Sequence, residues 1–555
     1  MITKIVHGLH FNNLRGDVFG GVVAAVIALP LALAFGVASG AGAVAGLYGA
    51  MFVGFFAALC GGTPAQASGP TGPMTVVFAG MFAMFSDDPS FVFTTVILGG
   101  GILVVMGVLG VGRYISFVPY PVISGFMSGI GVIIIILQIA PLVGHESSGG
   151  VMANLMAVPS MVGTPMAQAA IIGLLALVIV YFTPSIIGKI LPPSLLALLV
   201  CTPAAMFFFP NAPVIGDIPQ GFPSMIIPTF RMDALTVMVE EAFVIAFLCA
   251  IDSLLTSLVC DNMTRTQHDS NRELIGQGIG NMVAGLFGGL PGAGATVRSV
   301  ANIRSGGRTP LSGMLMGLLL LATLLWLGPL AEQIPLAVLA GILLKVGVDI
   351  IDWRFLRHVF QAPRADVIIM AVVLFITVVV DLITAVGVGV VLASVLFVKE
   401  MADLELANMR VITEEHPESP LSPEENEVLE RNTGKIVLIH VDGPMSFGSA
   451  KNMVRRLETV PGLKGFTSCV LDLSDVPTID GTSAMAIEDM LRIIRAHKQH
   501  LFFVGMQDHV TEVLEGLGVL KLIRPGHRYA ERLDALRHAA QAIGSTHPDD
   551  TPSTE

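Results

Sequence analysis

Apolar runs long enough to cross a hydrocarbon layer of ~30 Å recur from residue 20 to residue 398, and sparse polar breaks divide them into about fourteen segments. Two segments are too short for a full crossing. One is Pro70 to Phe85, opening Pro70-Thr71-Gly72-Pro73; the other is Thr296 to Ser305, preceded by Gly292-Ala293-Gly294-Ala295. Each begins where Gly and Pro interrupt the backbone and where Pro or Thr can start a helix, so each is expected as a half-helix. They stand third and tenth in order, at matching places in two sets of seven. That is the pattern of an inverted repeat, here over about residues 18–210 and 233–400.

The pattern changes near residue 400. A transmembrane part is expected over residues 1–406, then an acidic, Pro-rich stretch, 407–431, which contains Glu414-Glu415-His416-Pro417-Glu418 and reads as a hydrated linker. Residues 432–543 then alternate strand-like runs (Lys435 to His440, Ser468 to Leu473, Leu501 to Val504) with amphipathic helical patterns near Phe447 to Thr459, Ser483 to His497 and His509 to Leu517, the signature of a small α/β domain. The polar tail, 544–555, is expected to be disordered.

Composition sharpens this division. Only 13% of the residues are charged and the mean hydropathy is +0.77, so most of the chain must face lipid. Half of the 30 Lys and Arg residues lie after residue 400. The net charge of −12, without a clustered basic face, argues against a nucleic-acid partner. With the N-terminus taken as cytoplasmic, Arg113, Lys189, Arg265, Arg272, Arg304, Arg308, Arg354, Arg357, Arg364 and Lys399 fall on the cytoplasmic side and Arg231 opposite. An even number of crossings and a cytoplasmic C-terminal domain follow, in a bacterial inner membrane. The five cysteines show neither metal spacing nor a disulfide framework and read as small core residues. No Walker-type phosphate loop occurs, so a transport ATPase is not expected; coupling comes from an ion gradient or not at all, with no cofactor beyond a coupling ion.

Asp252 carries the strongest chemical signal. It lies inside the apolar stretch Ala242 to Val259, where a central carboxylate costs roughly 2.5–3.5 kcal/mol on insertion scales. Thr256, four residues on, shares its helical face, and the pair offers a carboxylate and a hydroxyl to a hard cation such as Na⁺; a structural Asp bonded to a neighbouring helix is the alternative. The two half-helix starts offer the complementary feature, unpaired N–H groups and a partial positive charge suited to an anion. Thr71 and Thr296 are candidate hydroxyl donors there, while Gly72, Gly294 and Ala295 allow close backbone approach. Arg298, in the first turn of the second half-helix, either adds positive potential or pairs with an acidic neighbour. Glu240 and Glu241 read as interfacial, Lys345 as snorkelling, and Asp381 as a turn residue. In the soluble part, Asp480 or Thr482 is placed to cap a helix, and Thr482 is a candidate phosphorylation position.

At these residues the sequence resembles the SulP family of anion transporters. The likeness is carried by Arg15-Gly16-Asp17, by Ala28-Leu29-Pro30-Leu31-Ala32-Leu33-Ala34-Phe35-Gly36, by Ser68-Gly69-Pro70-Thr71-Gly72-Pro73 and by Gly292-Ala293-Gly294-Ala295-Thr296-Val297-Arg298. The soluble part resembles a STAS domain through Val470-Leu471-Asp472-Leu473-Ser474 and Ile479-Asp480-Gly481-Thr482-Ser483. Within the family, Ala32 to Ala43 is similar to the sodium-dependent bicarbonate transporters of cyanobacteria. The resemblance implies an α-helical polytopic fold with core and gate domains, a homodimer, Na⁺ at Asp252, Thr256, Gly294 and Thr296, and bicarbonate near Thr71 and Ala295. Leu31 and Phe35 replace a Gln and a Tyr frequent in sulfate-type members, which disfavours sulfate or proton-coupled dicarboxylate, and Gly481-Thr482 departs from phosphorylated STAS segments.

The expectation is Na⁺:bicarbonate symport by an elevator-like shift of the core domain. Its rivals are a sulfate or C4-dicarboxylate transporter on the same scaffold and an anion-sensing membrane protein with the STAS domain as output.

Overall fold

The computed structural model describes residues 6–115, 118–146, 150–188, 191–216, 221–407, 409–413, 421–448, 450, 454, 465–497 and 499–543. Two compact units divide the chain, Met1–Ala393 and Ser394–Glu555.

The first unit is helical. Its elements are α1 (Leu14–Ala38), α2 (Ala43–Cys60), a two-residue strand β1 (Ser68–Gly69), α3 (Gly72–Met84), α4 (Pro89–Val108), α5 (Tyr120–Leu142), α6 (Val151–Gly163), α7 (Ala167–Phe182) and α8 (Pro193–Phe208). After these come α9 (Leu235–Thr264), α10 (Ser270–Leu286), a second two-residue strand β2 (Ala293–Gly294), α11 (Thr296–Arg304), α12 (Pro310–Ala331), α13 (Leu336–Ile350), α14 (Arg364–Val379) and α15 (Leu382–Ala407), whose last residues belong to the second unit. The succession long helix, helix, strand, short helix thus occurs twice, as α1–α2–β1–α3 and as α9–α10–β2–α11. Among the described residues six helices are long and apolar enough to cross a membrane, seven if α6 and α7, which meet at a 110° bend, count as one crossing.

Both short segments expected as half-helices are short helices, of 13 and 9 residues. Each is preceded by its strand, and the strands pair antiparallel with Ser68 opposite Gly294 and Gly69 opposite Ala293. This ribbon has no counterpart in the sequence reading, because two residues in extended backbone leave no period to detect. Pro73 sits in the first turn of α3, where its missing N–H costs nothing.

Asp17 ties the start of α1 to the loop after α11. It is 1% exposed. Its carboxylate accepts from the Arg308 and Thr309 amides at 2.7 and 2.9 Å and from the Thr309 hydroxyl at 2.8 Å.

The second unit holds a five-stranded sheet in the order β3 (Met409–Ile412), β4 (Ile436–Asp442), β5 (Ser468–Asp475), β6 (His500–Val504) and β7 (Arg528–Tyr529), antiparallel at β3 and parallel throughout the rest. Its helices are α16 (Pro423–Arg431), α17 (Gly481–Ala496), α18 (Asp508–Gly516) and α19 (Arg532–Ala542). Successive side chains of β4 point to opposite faces: Val437 and Ile439 pack with Ile487, Met490 and Leu514 of α17 and α18, while Ile436 and Leu438 pack with Leu429 and Leu536 of α16 and α19.

The stretch 407–431 is therefore not a hydrated linker throughout. Met409–Ile412 is the edge strand β3, and α16 starts in a capping box in which the Ser422 hydroxyl accepts from the Glu425 amide and the Glu425 carboxylate accepts from the Ser422 amide. The glutamates conceal an apolar stripe, Val428 and Leu429, that covers the sheet. Residues 414–420, most of the expected helix near Phe447 to Thr459, Lys189 and the tail 544–555 lie outside the described residues.

Candidate functional site

Helix α9 has one polar stripe in an apolar sequence, and this stripe meets both interrupted segments. Asp252 Oδ2 accepts a hydrogen bond from Thr71 Oγ1 at 3.1 Å, at the start of α3. One turn on, Thr256 Oγ1 lies 2.8 Å from Thr296 Oγ1 and donates to the Gly294 carbonyl at 3.0 Å, at the start of α11. Ser253 Oγ accepts from the Gly294 amide at 3.0 Å, and the Cys249 thiol, 3.2 Å away, donates to the Gly292 carbonyl. Asp252, Thr256, Thr71, Gly294 and Thr296 thus gather at one place, where the ribbon β1·β2 holds the two helix starts together.

Ser253 and Cys249 were not singled out in the sequence. Their spacing, with Ser257, is i, i+4, i+8, a polar line in an apolar helix that a stricter reading of period 3.6 would have exposed. All five cysteines are free thiols, Cys201, Cys249, Cys260 and Cys469 buried and Cys60 less so.

The hydroxyls do not point where an anion would need them. Thr71 gives its hydrogen to Asp252, and the Thr296 hydroxyl is engaged with Thr256, so the side-chain donors face the carboxylate side of the site. The Ala295 amide is also engaged, donating to the Ala67 carbonyl at 3.0 Å. The donors left at the two starts are backbone groups. The Thr75 and Ser299 amides make the first i→i−4 bonds, to the Thr71 and Ala295 carbonyls, which leaves the Gly72 and Met74 amides of α3 and the Thr296, Val297 and Arg298 amides of α11 ahead of them. These are the groups by which helix N-termini hold anions.

Gly294 and Gly72 are closely packed here. A Cβ on Gly294 would sit 2.1 Å from Gln66 Nε2 and 3.0 Å from the Ser253 Cα. One on Gly72 would sit 2.7 Å from Ile350 Cδ1 and 2.8 Å from Ile134 Cδ1, so the start of α3 abuts α13 and α5. On the other side Thr296 and Val297 are exposed, and Asp252 keeps partial exposure.

Arg298 has no acidic partner among the described residues, so the second of its two readings, pairing with an acidic neighbour, is not realised. It is 2% exposed and its Nη2 donates to the Pro70 carbonyl, while Nε and Nη1 have no partner among the described residues. A buried guanidinium thus bridges the second short helix to the residue before Thr71.

In the second unit Asp480 caps α17, accepting from the Ser483 amide at 2.8 Å, and its other oxygen accepts from the Phe447 amide at 2.7 Å. Thr482 is exposed one residue into that helix. A separate buried cluster joins two strands and a helix. The Asp472 carboxylate meets His440 Nδ1 at 2.8 Å, Arg532 Nε at 2.8 Å and the Ser474 hydroxyl at 2.6 Å. Burial pushes the Asp472 carboxyl up, but the bonds from His440 and Ser474 and the Arg532 charge outweigh it and hold the group below its ordinary range.

Comparison with known proteins agrees with this architecture. Residues 14–373 match the Sulfate permease family and residues 428–534 match the STAS domain. The chain is 44% identical over 559 residues to the Bicarbonate transporter BicA of Synechocystis sp., covering 99% of each. The solved transmembrane domain of a cyanobacterium bicarbonate transporter BicA superposes with a TM-score of 0.65 at 49% identity, over 69% of this chain and 100% of that one. The murine Solute Carrier 26 family member A9 anion transporter, in the inward-facing state, shares the fold at 18% identity, with a TM-score of 0.81 over 96% of this chain and 92% of its own. The SulP and STAS resemblance of the sequence holds. This multi-pass membrane protein belongs to the sulfate permease family, its helical part followed by a STAS domain.

Proposed function

We propose that the protein imports a small inorganic anion, bicarbonate, together with Na⁺. One observation carries the reading: Asp252, the one carboxylate in the apolar stretch Ala242 to Val259 of α9, shares its site with oxygens from both interrupted segments, beside two sets of unpaired helix N–H groups. Near-full-length similarity to a protein named as a bicarbonate transporter supports the choice of anion.

Na⁺ is held by the Asp252 carboxylate, the Thr256 and Thr296 hydroxyl oxygens and the Gly294 carbonyl. Its charge offsets that of Asp252, and bicarbonate then binds against the N–H groups of α3 and α11, with Gly72 and Ala295 leaving room. Arg298, behind the Pro70 carbonyl, adds positive potential without touching the anion. With Na⁺ absent, Asp252 repels the anion, so neither ligand binds well alone. The loaded core, including α3, α9 and α11, then shifts past a gate that includes α5 and α13, with Ile134 and Ile350 as the surface on which Gly72 slides. The same reading places the protein in a bacterial inner membrane as a homodimer, N-terminus and STAS domain cytoplasmic, on the strength of the basic loops.

Uptake of labelled bicarbonate into proteoliposomes, with and without Na⁺, tests the proposal. Uptake that ignores Na⁺ overturns it. Uptake of labelled sulfate or succinate without uptake of labelled bicarbonate would instead favour the family's sulfate-type activity. Removing residues 412–555 separates transporter from sensor: a transporter retains binding and some uptake, whereas a sensor loses its effect.

A further inference from the structure

Helix α10 carries a second buried polar stripe, Glu273, Gln277 and Asn281, spaced four residues apart on one face and each no more than 2% exposed. Its three side chains meet, in order, the loop before β1, β1 itself, and the residue before β2. Glu273 Oε2 accepts from the Gly62 and Thr63 amides, both at 2.9 Å, and Oε1 from Gln66 Nε2 at 2.8 Å and Gln277 Nε2 at 2.7 Å. Gln277 Nε2 also donates to the Ser68 hydroxyl at 2.6 Å. The Asn281 amide pairs with both polar groups of Gly292, donating to its carbonyl at 2.9 Å and accepting from its amide at 2.8 Å. Gln66 in turn accepts from Ser257 of α9 at 3.0 Å, linking the stripe to the helix that carries Asp252.

We propose that Glu273, Gln277 and Asn281 form a positioning ladder that sets where α3 and α11 begin relative to Asp252. None of the three has a recorded contact with Asp252, Thr71 or Thr296, so they act through the backbone they hold. A Glu belongs at 273 because four donors converge on its two oxygens and both must accept; an amide there would turn an N–H₂ group toward donors. A small geometric error here reaches both half-sites, since the ladder grips β1 at Ser68 and the residue leading into β2, Gly292. The transport consequence rests on the Na⁺:bicarbonate reading; the structural one does not.

Glu273→Gln and Asn281→Ala, in the full chain, test the ladder with two readouts. The first is amide hydrogen exchange without bicarbonate or Na⁺. Faster exchange is expected over residues 61–72 in Glu273→Gln and over 292–299 in Asn281→Ala, with the other helices unchanged. The second is uptake: half-saturation for Na⁺ and for bicarbonate should rise together, about tenfold, from loss of one or two buried hydrogen bonds, with melting temperature held within a few degrees. Unchanged exchange in both segments, or a fall in maximal rate at constant half-saturation, overturns the ladder. Should Glu273→Gln fail to fold, Asn281→Ala alone decides, because it removes neutral bonds only. A wild-type protein without Na⁺-dependent bicarbonate uptake would defeat the functional reading and leave the exchange result to judge the ladder.

Discussion

Thr71 Oγ1 and Asp252 Oδ2 stand 3.1 Å apart although 181 residues separate them along the chain. The hydroxyl at the start of one short helix is thereby committed to the carboxylate opposite the other, and in the proposed function the anion is left to backbone N–H groups.

Asp252→Asn should abolish Na⁺-dependent uptake while the protein still folds, because the Asn carbonyl oxygen can accept from Thr71. Losing a charged partner of roughly 2–3 kcal/mol weakens Na⁺ binding about 30- to 150-fold. Wild-type Na⁺ dependence in proteoliposomes containing the variant would contradict this.

Thr71→Val keeps the volume and removes the donor to Asp252. The half-saturating Na⁺ concentration should shift by about five- to tenfold, the equivalent of roughly 1–1.4 kcal/mol, with a smaller effect on bicarbonate at saturating Na⁺. A titration of uptake against each ion in turn separates the two.

Gly294→Ala inserts a methyl 2.1 Å from Gln66 Nε2 and 3.0 Å from the Ser253 backbone. Overpacking of this kind costs about 1–3 kcal/mol. A lowered melting temperature in detergent, together with loss of uptake, is expected; a Gly294→Ala protein with wild-type melting would show that the ribbon yields more readily than its contacts suggest.

Asp472 makes the STAS domain sensitive to acid. Its carboxyl is depressed in the fold, so the stability it contributes is present above the unfolded pKa of about 3.9 and is lost as pH falls through the lower folded value. Asp472→Asn removes that dependence and strands His440 and Arg532 beside an uncharged group, at a cost of roughly 3 kcal/mol. Limited proteolysis of residues 394–555 in the full protein, from pH 7 downward, reads both effects: faster cleavage for the variant at pH 7, and a gap to wild type that narrows as pH falls below the unfolded value.

Much of this architecture was legible because insertion into lipid is strict. Gly and Pro at residues 69–73 and 292–294 have few reasons to interrupt apolar runs, so both short helices could be placed from sequence, and Asp252 stood out as a charge amid apolar neighbours. The contacts made by uncharged polar residues were not legible. Ser253 and Cys249 are small, and Glu273 lies near the polar start of α10 beside Arg272, where a carboxylate excites no suspicion. Which way Thr71 and Thr296 turn depends on α9, a neighbour in space alone. In the second unit the acidic surface of α16 masked the residues Val428 and Leu429 that make it part of the domain.

The paired strands β1 and β2 are only two residues long, yet they make the proposed ligand centre a single piece drawn from both halves of the chain. Such a centre has no joint of its own. Bending during a transport cycle must then be sought at its periphery, and a spectroscopic label pair on the exposed Gly80 of α3 and Val297 of α11 should report a constant separation while pairs joining α3 to α5 or α13 report the stroke.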